Sequence, residues 1–272
     1  MSSRPTAEAI LAELTARANA HPEDHLLQFG SLLSAHQYLR LYRLVRRHVP
    51  EGARVLDWGT GNGHFSYFLQ RSGYRASGYS FLDSSFTRWL PDSDYSFTQG
   101  NSAEPTTLPF PDASFDAVAS IGVLEHVRET GGNEAGSLRE IARVLKPGGR
   151  FVCFHFPNRW SWIDWAARRV PGLHRHDYRY GRREIAELAS GAGLILEATG
   201  RYGLLPRNFG AHLPHPFRYS RGPARAWDAM DSLLALPFSP VCQNYYFVAR
   251  KPGPPDSSGG RTDRNAPKSK TS

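Results

Sequence analysis

Val55-Leu56-Asp57-Trp58-Gly59-Thr60-Gly61-Asn62-Gly63 is the stretch that decides how this chain is read. An apolar pair leads into an acid, three glycines follow at alternate positions, and His64 to Arg71 has helical character. This is the pattern of a buried strand that turns sharply into a helix. Glycine lacks a Cβ and tolerates positive φ, so such a turn lets backbone approach a ligand closely. The helix start adds N–H groups that have no partner within the helix. A dinucleotide fingerprint would read G-x-G-x-x-G, with its selecting acid about 20 residues later. Here the spacing is G-x-G-x-G and the acid stands two residues before the first glycine.

Outward from the turn, apolar runs predict strands at 54–57, 75–79, 95–98, 115–120, 150–156, 194–198 and 244–249. Helical periodicity fills 63–72, 83–90, 134–145 and 182–191, with further helices at 6–18, 32–49, 161–169 and 224–236. Thr6 is a suitable N-cap for the first of these, and 201–223 reads as a long loop. Strands alternating with helices predict an α/β fold: a doubly wound, Rossmann-like, seven-stranded and mostly parallel sheet. The expected division is a helical cover at 1–50, a main domain at 51–251 with a variable substrate-covering insertion at 157–240, and a polar tail at 252–272. The tail is rich in Pro, Gly and Ser and is expected to be disordered. Ligands of such sheets bind beyond the carboxyl ends of the strands.

Further signals follow in order. Gly100-Asn101-Ser102 comes after the third strand, and Leu108-Pro109-Phe110-Pro111-Asp112-Ala113-Ser114-Phe115-Asp116 leads into the fourth. Val123-Leu124-Glu125-His126-Val127 comes after that strand, and Leu138 to Gly149 spans the helix and turn before the fifth. With the glycine turn, these segments resemble the class I S-adenosylmethionine-dependent methyltransferase family, in its small-molecule, type 11-like branch, over residues 53–156. The resemblance implies S-adenosyl-L-methionine as cofactor. It implies that Asp57, Trp58, Gly59, Thr60, Gly61 and Gly63 hold the amino-acid end, Asp57 through the amino group. It assigns the ribose to Ser80 or Asp83, the adenine to Asn101 and Ser102, and a place beside the cofactor to Ile121 and Gly122. Two positions depart from the family. Ser80 stands where an acid usually binds both ribose hydroxyls, and serine is not a charged two-oxygen acceptor. Asn101 stands in place of the usual aspartate.

Glu125 and His126 admit two readings. His126 is a general base toward a hydroxyl acceptor, its ordinary pKa near 6.5 suiting that work, or the pair caps and orients its loop. A metal site of Glu125, His126 and His155 is the third arrangement, but the position three before Glu125 is Gly122, where an additional acid would be needed, so no metal is expected. His155, Asn158, Trp160, Trp162 and Tyr180 are candidate acceptor contacts, because this fold places substrate loops after the fifth strand. His174, His176, His212 and His215, with nearby tyrosines and arginines including Arg207, either line that site or are merely exposed.

The 272 residues are 40% hydrophobic, enough for a core of ordinary domain size. The net charge of +8 favours acidic partners. No compact Lys/Arg block with interleaved aromatics is present, which disfavours nucleic acid. Cys153 and Cys242 lie in apolar runs and read as core thiols, without zinc spacing. No apolar leader and no run of ~20 apolar residues is evident. The expectation is a cytoplasmic enzyme without a membrane span, with peripheral membrane contact left open. It would methylate a small, lipid-linked or glycosylated acceptor, most simply on oxygen. An RNA methyltransferase and a non-catalytic cofactor-binding protein are the alternatives. The sequence does not indicate the oligomeric state.

Overall fold

A computed structural model describes residues 4–91, 95–170, 175–207, 210 and 213–253. His174, His212 and the tail beyond Gly253 lie outside the described residues. Three helices come first: α1 (Ala7–Ala20), α2 (Leu32–Ala35) and α3 (Tyr38–His48). The alternating section then runs β1 (Arg54–Trp58), α4 (His64–Arg71), β2 (Arg75–Ser80), β3 (Ser96–Gln99), β4 (Phe115–Ile121), α5 (Glu134–Val144) and β5 (Leu145–Pro157). The remainder is α6 (Trp162–Ala167), α7 (Arg182–Gly191), β6 (Ile195–Tyr202), α8 (His215–Arg218), α9 (Arg221–Phe238) and β7 (Asn244–Arg250).

The seven strands form one sheet in the order β3-β2-β1-β4-β5-β7-β6. β1 is parallel to both β2 and β4, and β7 is antiparallel to β5 and β6. The expected fold class is therefore present. Because side chains alternate across a strand, β1 sends Val55 to one core and Leu56 to the other. Val55, Ala117, Val152 and Val248 meet α1, α3 and α4 through Leu14, Tyr42 and Phe68. Leu56, Val118, Phe151 and Phe247 meet α5 and α7 through Leu138, Ile141 and Ile185. The strand order reverses between β1 and β4, which opens a crevice at their carboxyl ends. Cys153 and Cys242 are free, buried thiols, as expected. Among the described residues no helix is long and apolar enough to cross a membrane.

The boundaries differ from the sequence expectation where tertiary bonds intervene. The helix expected at 32–49 breaks at His36 and Gln37, and His36 Nδ1 lies 2.7 Å from Asp228 of α9. The helix expected at 83–90 is a single 3₁₀ turn, Ser84–Thr87, N-capped by Asp83, whose Oδ1 accepts from Ser85 N–H at 2.8 Å. The turn at 146–149 is drawn into β5 as an irregularity: Phe115 pairs with Leu145, and Ala117 pairs next with Arg150. Within 157–240, α7 and β6 belong to the sheet layers, while α6, α8 and α9 lie outside the strand order.

α9 carries its charge inward. Asp231 Oδ1 accepts from Leu205 N–H at 2.7 Å and its other oxygen pairs with Arg207 at 3.2 Å, while Asp228 pairs with Arg207 and His36. Arg207 and Asp231 are nearly buried, so removing one partner strands the other. Asp231→Ala is expected to destabilise the fold by about 2–3 kcal/mol, read as a lower unfolding midpoint. Asp231→Asn keeps an acceptor for Leu205 and is expected to cost less.

Candidate active site

The glycine turn is fixed by a shared acceptor. Tyr79 C=O, at the end of β2, accepts from Gly59 N–H at 2.8 Å and from Thr60 N–H at 3.1 Å. Thr60 Oγ1 donates back to Asp57 C=O at 3.0 Å, and Gly63 N–H donates to Thr60 C=O at 3.0 Å. The three glycines sit at φ +83°, +53° and +80°, where side chains with a Cβ are strained. At Gly59 a Cβ would also stand 2.3 Å from Val123. At Gly61 the same position is open, its nearest neighbour 3.9 Å away. That opening, at the N-terminus of α4, is a cradle with room for a ligand to approach the backbone.

Asp57 is buried beneath the turn. Its Oδ2 accepts from the Ser66 hydroxyl at 2.7 Å. Burial nevertheless raises its carboxyl pKa to about 7, the Ser66 bonds only partly opposing it. A cationic ligand group beside Asp57 would restore its ionised form.

A cavity of about 250 Å³ lies beyond Trp58 and Gly59. Its lining holds Ser80, with Phe81, Leu82, Pro105, Val123 and His126 among its neighbours. Asp83, Asn101 and Ser102 are not part of this lining. Asp83 is spent on its cap, and Asn101 Oδ1 accepts from Ala103 N–H at 3.0 Å, closing its own turn. The wall is mainly apolar. Phe81, Leu82, Pro105, Val127 and Thr130 were missed by the sequence reading; the only available signal was the run of apolar residues directly after β2 and β4.

A row of proton-handling side chains follows the carboxyl ends of β1, β4 and β5. His64 begins α4, with Nδ1 buried and without a hydrogen-bond partner among the described residues. Burial and the nearby His155 hold it far below the usual imidazole range, at about 3. Glu125 is buried and its Oε2 has no hydrogen-bond partner among them. Burial pushes its carboxyl up to about 8, so it keeps its proton at neutral pH. His126 is partly exposed on the cavity rim, with Nδ1 2.7 Å from Glu129 Oε1 and Nε2 4.0 Å from Glu125 Oε1.

His155 is held in the left-handed region at φ +66°, at a break in the β5–β7 register between Cys153 and Phe156. A non-glycine residue there costs energy and is kept by its surroundings. Here Tyr202 OH accepts from His155 N–H at 2.9 Å and lies 3.0 Å from Nδ1. Nδ1 of the ring faces that hydroxyl and, at 3.5 Å, the amide nitrogen of Asn244. Burial and the charge of His176 hold that ring at about 4. Tyr38 packs edge-on at 5.4 Å, and also contacts the ring of His64 at 4.7 Å.

Glu125, His126 and His176 offer ligand atoms all within 4.8 Å of one another. His155, the third member of the metal arrangement weighed from sequence, is committed to Tyr202 instead. Ile121 and Gly122 end β4 above the glycine turn, Gly122 at φ +71° with its N–H on Phe154 C=O at 3.0 Å. Asn158 and Tyr180 are structural, contrary to expectation. Asn158 is fully buried and donates to Pro240 C=O at 2.8 Å and Cys242 C=O at 2.7 Å. Tyr180 stacks on Phe156 at 4.1 Å and its hydroxyl bonds Glu134, which pairs with Arg128 at 2.8 Å. Trp160 is exposed, and Trp162 donates its indole N–H to Leu204 C=O at 2.7 Å; neither lines the cavity.

Gly59→Ala combines a left-handed φ with a clash against Val123. It is expected to lower stability by at least about 1–2 kcal/mol, measured by denaturant unfolding. Gly61→Ala meets open space and is expected to cost the fold less while occluding the cradle.

Residues 56–153 match the family model for a methyltransferase domain. The chain is 31% identical over 148 residues to a demethylmenaquinone methyltransferase of Tropheryma whipplei, covering 52% of this chain and 55% of that one. It is 34% identical over 121 residues to a fatty-acid O-methyltransferase of Mycolicibacterium smegmatis, covering 42% and 41%. The chain thus spans about half the length of the curated relatives it matches. A crystal structure of an S-adenosylmethionine-dependent methyltransferase from Mesorhizobium loti superposes with a TM-score of 0.54 at 18% identity, over 79% of this chain and 97% of that one, a likeness of fold. With the sheet order and the glycine turn after β1, the match makes residues 56–153 a methyltransferase domain, in a chain whose fold is that of the class I S-adenosylmethionine-dependent methyltransferases it resembles.

Proposed function

We propose that the chain transfers a methyl group from S-adenosylmethionine to an oxygen of a small acceptor that is lipid-linked or glycosylated. The observation that carries this reading is the row of His64, Glu125, His126, His155 and His176 beside the glycine turn, where proton-handling groups meet the open end of the cradle. The two named relatives support an apolar acceptor, since demethylmenaquinone and fatty acids both carry long hydrocarbon.

When bound, the cofactor supplies an electrophilic methyl group on a good leaving group. The protein's task is then alignment, which proximity and orientation serve, and removal of the acceptor's proton. The glycine turn and Asp57 hold the amino-acid end, while Ser80 and the apolar wall take the nucleoside. His126 receives the acceptor proton on Nε2, and the Glu129 carboxylate at Nδ1 steadies the imidazolium that forms. Glu125, protonated by burial, and His155, held neutral by it, do not compete for the proton.

Transfer of a radiolabelled methyl group to quinol, fatty-acid and glycolipid acceptors tests the reading, and the carbon-13 shift of the product methyl separates O- from C-methylation. His126→Gln is expected to lower kcat by about 10²–10⁴, with a smaller change in cofactor affinity. Absence of transfer to every acceptor, with cofactor binding intact, would instead support a non-catalytic binder.

Asp57 gives a pH signature. A ligand ammonium binds the ionised carboxylate, whose unliganded pKa is about 7. Below that pH, binding must expel a proton, so the affinity for S-adenosylhomocysteine is expected to fall by up to about tenfold per pH unit. Above it the dependence flattens. Calorimetric titration between pH 5.5 and 8.5, with Asp57→Asn expected to abolish the slope, checks this.

A further inference from the structure

α9 is an amphipathic helix facing the wrong way for a core element. Its acids point inward to His36, Leu205 and Arg207. Its apolar side chains Met230, Leu233 and Leu236 follow at intervals of three along one outer stripe, and Leu233 and Leu236 are 67% and 76% exposed. Phe238, the last residue of the helix, is also exposed.

Further exposed apolar side chains stand at and just before α6. Trp160 precedes it, and Trp165 on the helix is 57% exposed. The two helices are neighbours: Ile163 of α6 and Asp231 and Ser232 of α9 line one cavity. Asn158, just before α6, is bonded to Pro240, just after α9. That cavity, about 140 Å³, reaches Tyr202 and Asn244, whose side chains contact His155. The cavity thus lies between α6, α9 and the partners of His155.

Asp164 of α6 is buried, Arg221 of α9 is exposed, and Arg225 is exposed but paired with Glu8 of α1. Arg168 and Arg169 follow α6, and the Arg169 guanidinium lies 3.6 Å over the Trp165 ring. Exposed Trp and Leu rimmed by arginine, with carboxylates withdrawn, is the pattern of a surface that lies in a bilayer interface. Anionic headgroups complement the arginines. A second copy of the chain packed by two-fold symmetry would set the same apolar stripe and the same arginines against themselves.

We infer that α6 and α9 form a docking surface for an anionic lipid bilayer, turned so that the α6–α9 cavity opens toward the membrane. This goes beyond the methyl-transfer reading, and its test needs neither cofactor nor acceptor.

The experiment is co-sedimentation of the full chain with phosphatidylcholine vesicles and with vesicles that also contain phosphatidylglycerol, at low and high salt. The expected result is at least tenfold stronger partition onto the anionic vesicles, weakened by salt. The Leu233→Ser/Leu236→Ser and Trp165→Ala variants alter exposed side chains, and their unfolding midpoints serve as the folding control. Each is expected to lose most of the partition, the double variant tenfold or more. Three results would overturn the inference: no binding of the wild-type chain to anionic vesicles, equal binding by the folded variants, or a solution dimer that the double variant splits while vesicle binding is absent.

Discussion

The carbonyl oxygen of Tyr79 accepts two N–H groups, those of Gly59 and Thr60, and the candidate site depends on that shared bond. It ties the end of β1 to the end of β2 at the point where the chain must reverse. It forces Gly59 to positive φ and brings it against Val123, so the loop after β4 is positioned by the loop after β1. Asp57 is sealed below this turn and His64 starts the helix beyond it. A cradle, a raised carboxyl and an unpartnered imidazole nitrogen therefore arise from one local geometry.

The second organising constraint is burial of ionisable groups with few partners. Among the described residues, Glu125 Oε2 and His64 Nδ1 find no hydrogen-bond partner, although unpaired buried polar atoms are costly. His155 adds backbone strain, held by Tyr202 and Asn244 from β6 and β7. The antiparallel end of the sheet thus contributes directly to the site. Tyr202 accepts the His155 N–H and also contacts its ring nitrogen Nδ1, making β6 more than a structural edge. Such concentrated cost at the carboxyl ends of the strands marks them as the working face of the sheet.

Much of this was legible in the sequence, and for definable reasons. The glycine turn, the seven strands and the helices that alternate with them follow from local patterns: glycine spacing, apolar strand runs and helices of period near four. The helix at 6–18 was legible because Thr6 caps it locally, accepting from Ala9 N–H at 3.1 Å. What was misread depends on distant partners. Tyr180 looked like an acceptor contact because its partner, Glu134, is 46 residues away, and Asn158 looked free because it bonds Pro240, 82 residues on. The helix expected at 32–49 breaks where His36 meets Asp228, 192 residues on. Asp83, Asn101 and Ser102 were assigned by resemblance, but local turn bonds occupy Asp83 and Asn101, and the cavity wall is built from Phe81, Leu82 and Pro105. His176 joins Glu125 and His126 only through the fold.

The central claim is that the turn after β1 is built for a sulfonium nucleoside and not for a dinucleotide. Thermal unfolding with S-adenosylhomocysteine and, separately, NADH tests it most directly. A ligand at ~100 times its dissociation constant adds about 2.7 kcal/mol, which for a chain of this size raises the midpoint by roughly 5–10 °C. The account predicts that rise with S-adenosylhomocysteine and none with NADH. A rise with NADH alone, or no rise with S-adenosylhomocysteine in a folded sample, would contradict it.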